Sequence, residues 1–123
     1  MELTFVGYGD AMELLFPGSH ACGDPPYALR VTVDGKTVAY TGDTQWCDGV
    51  RGAGQNADLF ITECLFFDKQ VKGHLDLKTL EAHMADIAPK RLILTHFGPD
   101  MMKHLPEVAK DYEVAEDGKT VSI

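Results

Sequence analysis

The chain has 123 residues and a mass of 13.5 kDa, room for one compact domain with 45% hydrophobic residues to fill a single core. Nineteen acidic against 11 basic residues give a formal charge of -8, with a pI near 4.9, a field that repels phosphate backbones and anionic membranes and disfavours general nucleic-acid binding. The cysteines, Cys22, Cys47 and Cys64, are odd in number and widely spaced, which fits a reducing compartment rather than a disulfide framework.

The first apolar run, "LTFV" at 3–6, reads as a starting strand ended by the glycine turn "GYGD". No charged and then apolar leader opens the chain, and no run approaches membrane-spanning length, so the expected location is the cytoplasm. "AMELLF" at 11–16 is expected to form one or two helical turns before "PGS" stops it. From residue 27 the pattern sharpens. "YALRVTV" alternates, "DG" at 34–35 is the two-residue turn that hairpins favour, and "KTVAYT" returns antiparallel.

"ADLFIT" at 57–62 and "RLILT" at 91–95 are nearly continuous apolar runs, as in strands buried on both faces. Between them, Leu77, Leu80, Met84 and Ile87 recur at helical spacing behind Asp76, a suitable N-cap. A helix there makes a right-handed β-α-β crossover between two parallel strands. The amphipathic segment 99–112 is interrupted by Pro106, and "DGKTVSI" at 117–123 reads as a closing strand. The predicted class is therefore α/β, in a single domain spanning 1–123.

Three ionisable residues stand just past predicted strands: Asp43 after "VAYTG", Glu63 after "LFIT" and His96 after "LILT". Residues at the carboxyl ends of adjacent strands converge on one edge of an α/β sheet, where sites are usually built. Carboxylate and imidazole together suit a divalent ion such as zinc. Each also has a plain role open to it: Asp43 as a cap for the segment starting at Thr44, His96 as a half-buried histidine bonded to backbone.

"DGKTVAYTGDTQW", "ADLFITECLFFDKQVKGHLD" and "KRLILTHFGPDM" together resemble the C-terminal half of the metallo-β-lactamase superfamily, in particular its phosphodiesterase-like branch with the tRNA 3′-processing endonucleases. The resemblance implies a partial αββα fold, mainly the C-terminal half with the first N-terminal strand. It implies that Asp43, in Gly-Asp-Thr, takes the place of a metal-bridging aspartate and that His96 is a ligand of the second metal. By position, His20 matches a ligand of the first. Glu63 and His74 match a polar pair that donates a proton to the leaving oxygen; read from the residues alone, His74 beside Gly73 is a solvent-facing loop residue. His83 and His104 lie in helical patterns near polar faces and are expected to be surface residues.

The superfamily's main signature, His-x-His-x-Asp-His, is absent: the five histidines stand at 20, 74, 83, 96 and 104. Between the opening strand and the hairpin only "MELLFPGSHACGDPP" remains, so the chain looks like a member shortened within its N-terminal half. His20, Asp43 and His96 are then the ligands left, enough for at most one zinc or manganese ion per chain. The resemblance implies a metal-dependent hydrolase of phosphodiester or related ester bonds, acting on a small molecule or ester, with activity impaired or lost. The alternative is a non-catalytic remnant that serves in assembly or binding. A sheet missing its cover would leave several hundred Å² of apolar surface open, on the order of 10 kcal/mol of burial at about 25 cal/mol per Å². The expected remedy is a homodimer.

Overall fold

The computed structural model describes residues 12–21 and 25–123. The chain runs β1 (Met12–Pro17), β2 (Tyr27–Val33), β3 (Lys36–Tyr40), α1 (Asp48–Gly54), β4 (Leu59–Glu63), α2 (Leu77–Ile87), β5 (Leu92–Thr95), α3 (Pro99–Val108) and β6 (Glu113–Val114). The strands form one sheet in the order β1-β2-β3-β4-β5-β6. The first three pair antiparallel, and β3 through β6 run parallel. The predicted strand at 3–6 and the thiol of Cys22 lie outside the described residues. Among the described residues, no helix is long and apolar enough to cross a membrane.

The hairpin forms as its sequence dictates. Asp34 (φ 51°) and Gly35 (φ 73°) both take left-handed backbone, the pair of conformations that a tight two-residue turn between right-twisted strands requires. Helix α2 begins at Asp76, whose carboxylate accepts the Thr79 N–H at 2.9 Å and the Thr79 hydroxyl at 2.6 Å. It buries Leu77, Leu80 and Ile87, and it ends at Ala88 in left-handed backbone, with the Ala88 N–H on the Met84 carbonyl. The predicted parallel crossover from β4 through α2 to β5 is present.

Three expectations need correction. The segment "MELLFP" is strand β1, not helix: its leucines favour a helix, but pairing with the open edge of β2, Leu15 opposite Leu29, outweighs that weak preference. The last seven residues, 117–123, form no strand. Pairing with β5 stops at Val114, a turn follows with the Lys119 N–H on the Glu116 carbonyl, and the tail crosses the sheet face, where Val121 packs. Helix α3 also runs through Pro106 to Val108, with Met101 and Val108 buried beneath it.

Helix α1 was not foreseen, because three glycines in "DGVRGAG" argue against a helix on propensity. Here glycine serves approach rather than turning. A Cβ at Gly49 would stand 1.8 Å from the Pro17 carbonyl oxygen, and one at Gly52 would stand 2.8 Å from the Phe16 ring.

The sheet has unequal faces. On one, Ala28, Ala39, Phe60 and Leu94 pack beneath the helices against Val50, Ala53, Leu77, Leu80, Ile87 and Met101. On the other, Leu59, Ile61 and Ile93 are buried with Val38, Ala115 and Val121 against them. Toward β1 that second face opens, and Leu15 (58%), Val33 (40%) and Tyr40 (39%) are exposed.

Candidate metal centre

The parallel half of the sheet brings its strand ends to one edge, and the site is built there. After β3, the Thr41 N–H bonds to the Ile61 carbonyl, and the Thr41 hydroxyl accepts the Glu63 N–H at 3.0 Å. Gly42 then turns in left-handed backbone (φ 59°) and delivers Asp43. After β5, His96 takes the same conformation (φ 59°). An L-residue adopts it at a cost of about 1–2 kcal/mol, so the turn aims this imidazole at the expense of backbone comfort. The two side chains meet with Asp43 Oδ2 at 3.6 Å from His96 Nε2, both partly exposed.

His74 reaches the same place from the loop between β4 and α2. One ligand atom from each of Asp43, His74 and His96 lies within 4.8 Å of the other two. The rings of His74 and His96 are 5.6 Å apart. Behind His74, the Glu63 carboxylate is fully buried and accepts from His74 Nδ1 at 3.1 and 3.3 Å and from the Thr44 N–H. Burial pushes the Glu63 carboxyl above the usual range, and the Thr44 N–H and His74 pull against that shift.

His20 is held differently. Its Nδ1 donates to the Gly73 carbonyl at 2.8 Å, and its ring stands edge-on to His74 with centroids 4.8 Å apart. It is therefore next to the cluster, while Asp43, His74 and His96 are the residues whose ligand atoms converge. A metal-binding histidine typically gives its second ring N–H to a carboxylate or a carbonyl. His20 and His74 both have such a partner, which fixes the tautomer with Nε2 unprotonated. The donor set, one carboxylate and imidazole nitrogens, fits zinc or manganese. An edge of about 3.3 Å separates two ligands on a tetrahedral zinc ion. The Asp43–His96 gap is close to that, so these two fit a shared ion with little movement.

The residues that sequence reasoning overlooked are the supports. Thr44 links the Asp43 turn to Glu63 through its N–H, and its hydroxyl accepts the Ser19 N–H at 2.8 Å. Gly73 (φ 92°) joins two loops: its N–H bonds to Gln45 Oε1 at 3.0 Å and its carbonyl to His20. The adjacency of Thr44 to Asp43 and of Gly73 to His74 was the available signal. His83 and His104 are half-buried rather than plain surface residues: His83 stacks on Trp46 with centroids 3.7 Å apart, and His104 on Phe67 at 4.0 Å.

A sheet with helices on one face and a carboxylate–histidine cluster at its strand ends is an architecture suited to holding a divalent ion. The chain belongs to the β-lactamase superfamily: the family described as "Beta-lactamase superfamily domain" matches residues 6–97. It is 30% identical over 101 residues to a ribonuclease Z of Gemmatimonas aurantiaca, covering 72% of this chain and 32% of that enzyme. It is also 30% identical over 98 residues to the probable metallo-hydrolase YhfI of Bacillus subtilis, covering 77% and 37%.

The crystal structure of YhfI superposes with a TM-score of 0.72 at 28% identity over 93% of this chain and 50% of YhfI. Human tRNase Z, short form, shares the fold, with a TM-score of 0.71 over 96% of this chain and 44% of its own. The chain thus spans about a third of the length of these curated relatives and about half of the solved chains. The observed fold is a partial metallo-β-lactamase fold, α/β in class.

Proposed function

We propose that this chain is a metal-dependent hydrolase of phosphodiester or related ester bonds, with low turnover. The observation that carries the proposal is the convergence of Asp43, His74 and His96, with a buried Glu63 behind His74. Asp43 and His96 would hold one divalent ion, zinc or manganese, with His20 beside the cluster, its ring 4.8 Å from that of His74. Such an ion, when bound, polarises the ester and activates water.

The remaining chemistry belongs to the chain. Glu63 accepts Nδ1–H of His74, which fixes the ring. With Nδ1 engaged by Glu63, Nε2 of His74 is the ring atom free to pass a proton to the leaving oxygen. Asp43 anchors the edge of the site through its turn on β3. Low turnover follows from the missing His-x-His-x-Asp-His: one ion lacks the second Lewis acid that steadies attacking and leaving oxygens together. The relatives' names, ribonuclease Z and metallo-hydrolase, support the reaction class.

Metal analysis of dialysed protein, run beside turnover of bis(4-nitrophenyl) phosphate, tests this. The expected result is at most one ion per chain, lost with Asp43→Ala, and slow metal-dependent cleavage that His74→Ala removes. A protein that binds no ion, or whose cleavage survives Asp43→Ala, would overturn it.

A further inference from the structure

His74 has a second neighbourhood besides the metal cluster. It lines a cleft of about 390 Å³ together with Gln45, Trp46, Lys72, Leu75 and Thr79. A second cleft, of about 370 Å³, lies on the His20 side, and Gln45, Lys72 and Gly73 line it. Gln45 and Lys72 are common to both, so an amide-bearing and a cationic residue border the cleft that the proposed proton donor lines.

The cleft is prebuilt. Trp46 is the only tryptophan of the chain, and His83 of α2 covers one indole face with an interplanar angle of 7°. Gln45 is fixed at both ends, its backbone N–H on the Ser19 carbonyl and its Oε1 on the Gly73 N–H. With that oxygen committed, the donor it offers a ligand is the NH2 group. Neighbouring charges are otherwise engaged: Asp76 caps α2, Asp68 pairs with Lys78 at 3.3 Å, and Lys69 sits over the Phe66 ring. Asp76 lines the cleft as well, with its carboxylate taken up by Thr79, so Lys72 is the cationic side chain of this lining on a chain of net charge -8.

We infer that this cleft binds an aryl phosphate ester, with the phosphoryl oxygens on the Lys72 ammonium and the Gln45 amide and the flat ring against Trp46 and Leu75. The inference rests on the hydrolase reading in one respect: a group that gives its proton to the leaving oxygen should border the pocket that holds the leaving group, and His74 does. The recognition itself needs no ion. The polar groups match an anion, and the indole and leucine match a planar apolar ring.

Trp46 makes the test direct, because its emission reports on the cleft and on no other indole. Phenyl phosphate is titrated into chelator-treated full-length protein while Trp46 emission is followed. The expected result is a saturable change, with affinity at least about tenfold weaker in Lys72→Met, the loss of one charge-assisted contact, and largely restored in Lys72→Arg. Inorganic phosphate alone should bind more weakly than phenyl phosphate.

Unchanged emission at millimolar phenyl phosphate, or equal affinity in Lys72→Met, overturns the inference; so does inorganic phosphate binding as tightly as the ester. Asp43→Ala separates the two claims. Binding that persists in Asp43→Ala while the unaltered protein shows no hydrolysis defeats the hydrolase reading alone. Hydrolysis that depends on Asp43, with no response from Trp46, defeats this inference alone.

Discussion

One row of side chains crosses the sheet from Leu15 through Leu29, Tyr40 and Ile61 to Ile93, each opposite the next in register. At the antiparallel end Leu15 is 58% exposed and Tyr40 39%; at the parallel end Ile61 and Ile93 are 3% and 4%. The same residue types on the same face thus sit in two environments, and the site lies with the covered half. A parallel pair needs a crossover to return the chain, and its connections leave from strand ends that carry Asp43, Glu63 and His96. The tight β2–β3 hairpin of the other half leaves no loop of that kind, and the β1–β2 connection brings only His20 to the margin of the cluster.

The largest expected contrast is in stability. Phe60→Ala, in the parallel half, removes a ring packed against Gly54 and Ile87 and should cost about 3–5 kcal/mol, whereas Leu15→Ala should cost under about 1 kcal/mol. Urea denaturation checks both, and equal losses would erase the distinction between the halves. Next comes the chemistry. Glu63→Gln keeps the shape beside His74 but removes the charge, and turnover should fall by about 10²–10⁴-fold with the fold intact. Unchanged turnover would detach Glu63 from the reaction.

The open half suggests a third experiment. Leu15, Val33 and Tyr40 point from one face, and a two-fold pairing with a second copy of this chain would cover the same patch on both partners. Sedimentation should therefore show a dimer that Leu15→Lys converts to monomer without unfolding; a stable monomer of the unaltered chain would make the exposed half an ordinary surface.

The smallest effect concerns the far edge. Arg91, and then Lys119, hold the Glu113 carboxyl down at about 2. A depressed carboxylate stabilises the fold above its unfolded value near 4.5 and loses that contribution as pH falls toward 2. Arg91→Gln should flatten the acid limb of a thermal-melting profile over that interval by slightly lowering the neutral plateau, and leave the value near pH 2 almost unchanged.

Much of this frame was legible in the residues. The β2–β3 turn, the Asp76 cap and the two apolar runs rest on local chemistry that tertiary contacts reinforce. Strand ends can be read once strands are, which is how Asp43, Glu63 and His96 came into view together. What escaped was decided by packing. β1 carries helix-favouring residues but answers to the edge of β2, and α1 uses glycine for close approach to Pro17 and Phe16. The tail alternates like a strand but covers a face instead of extending an edge. The cleft was hidden for a different reason: Gln45, Lys72 and Thr79 come from separate segments whose meeting no spacing announces.

The strands lie in the sheet in the order in which they occur along the chain. Folding therefore need not wait for distant segments, since each strand after the hairpin can dock on one already in place, a growth mode with modest loop-closure cost. Asp43 would be set early with β3, but His96 arrives only when β5 has joined. The carboxylate–imidazole pair is thus a late event of assembly. In a refolding experiment, recovery of the divalent-ion binding proposed above should trail the formation of hairpin structure and serve as a clock for β5.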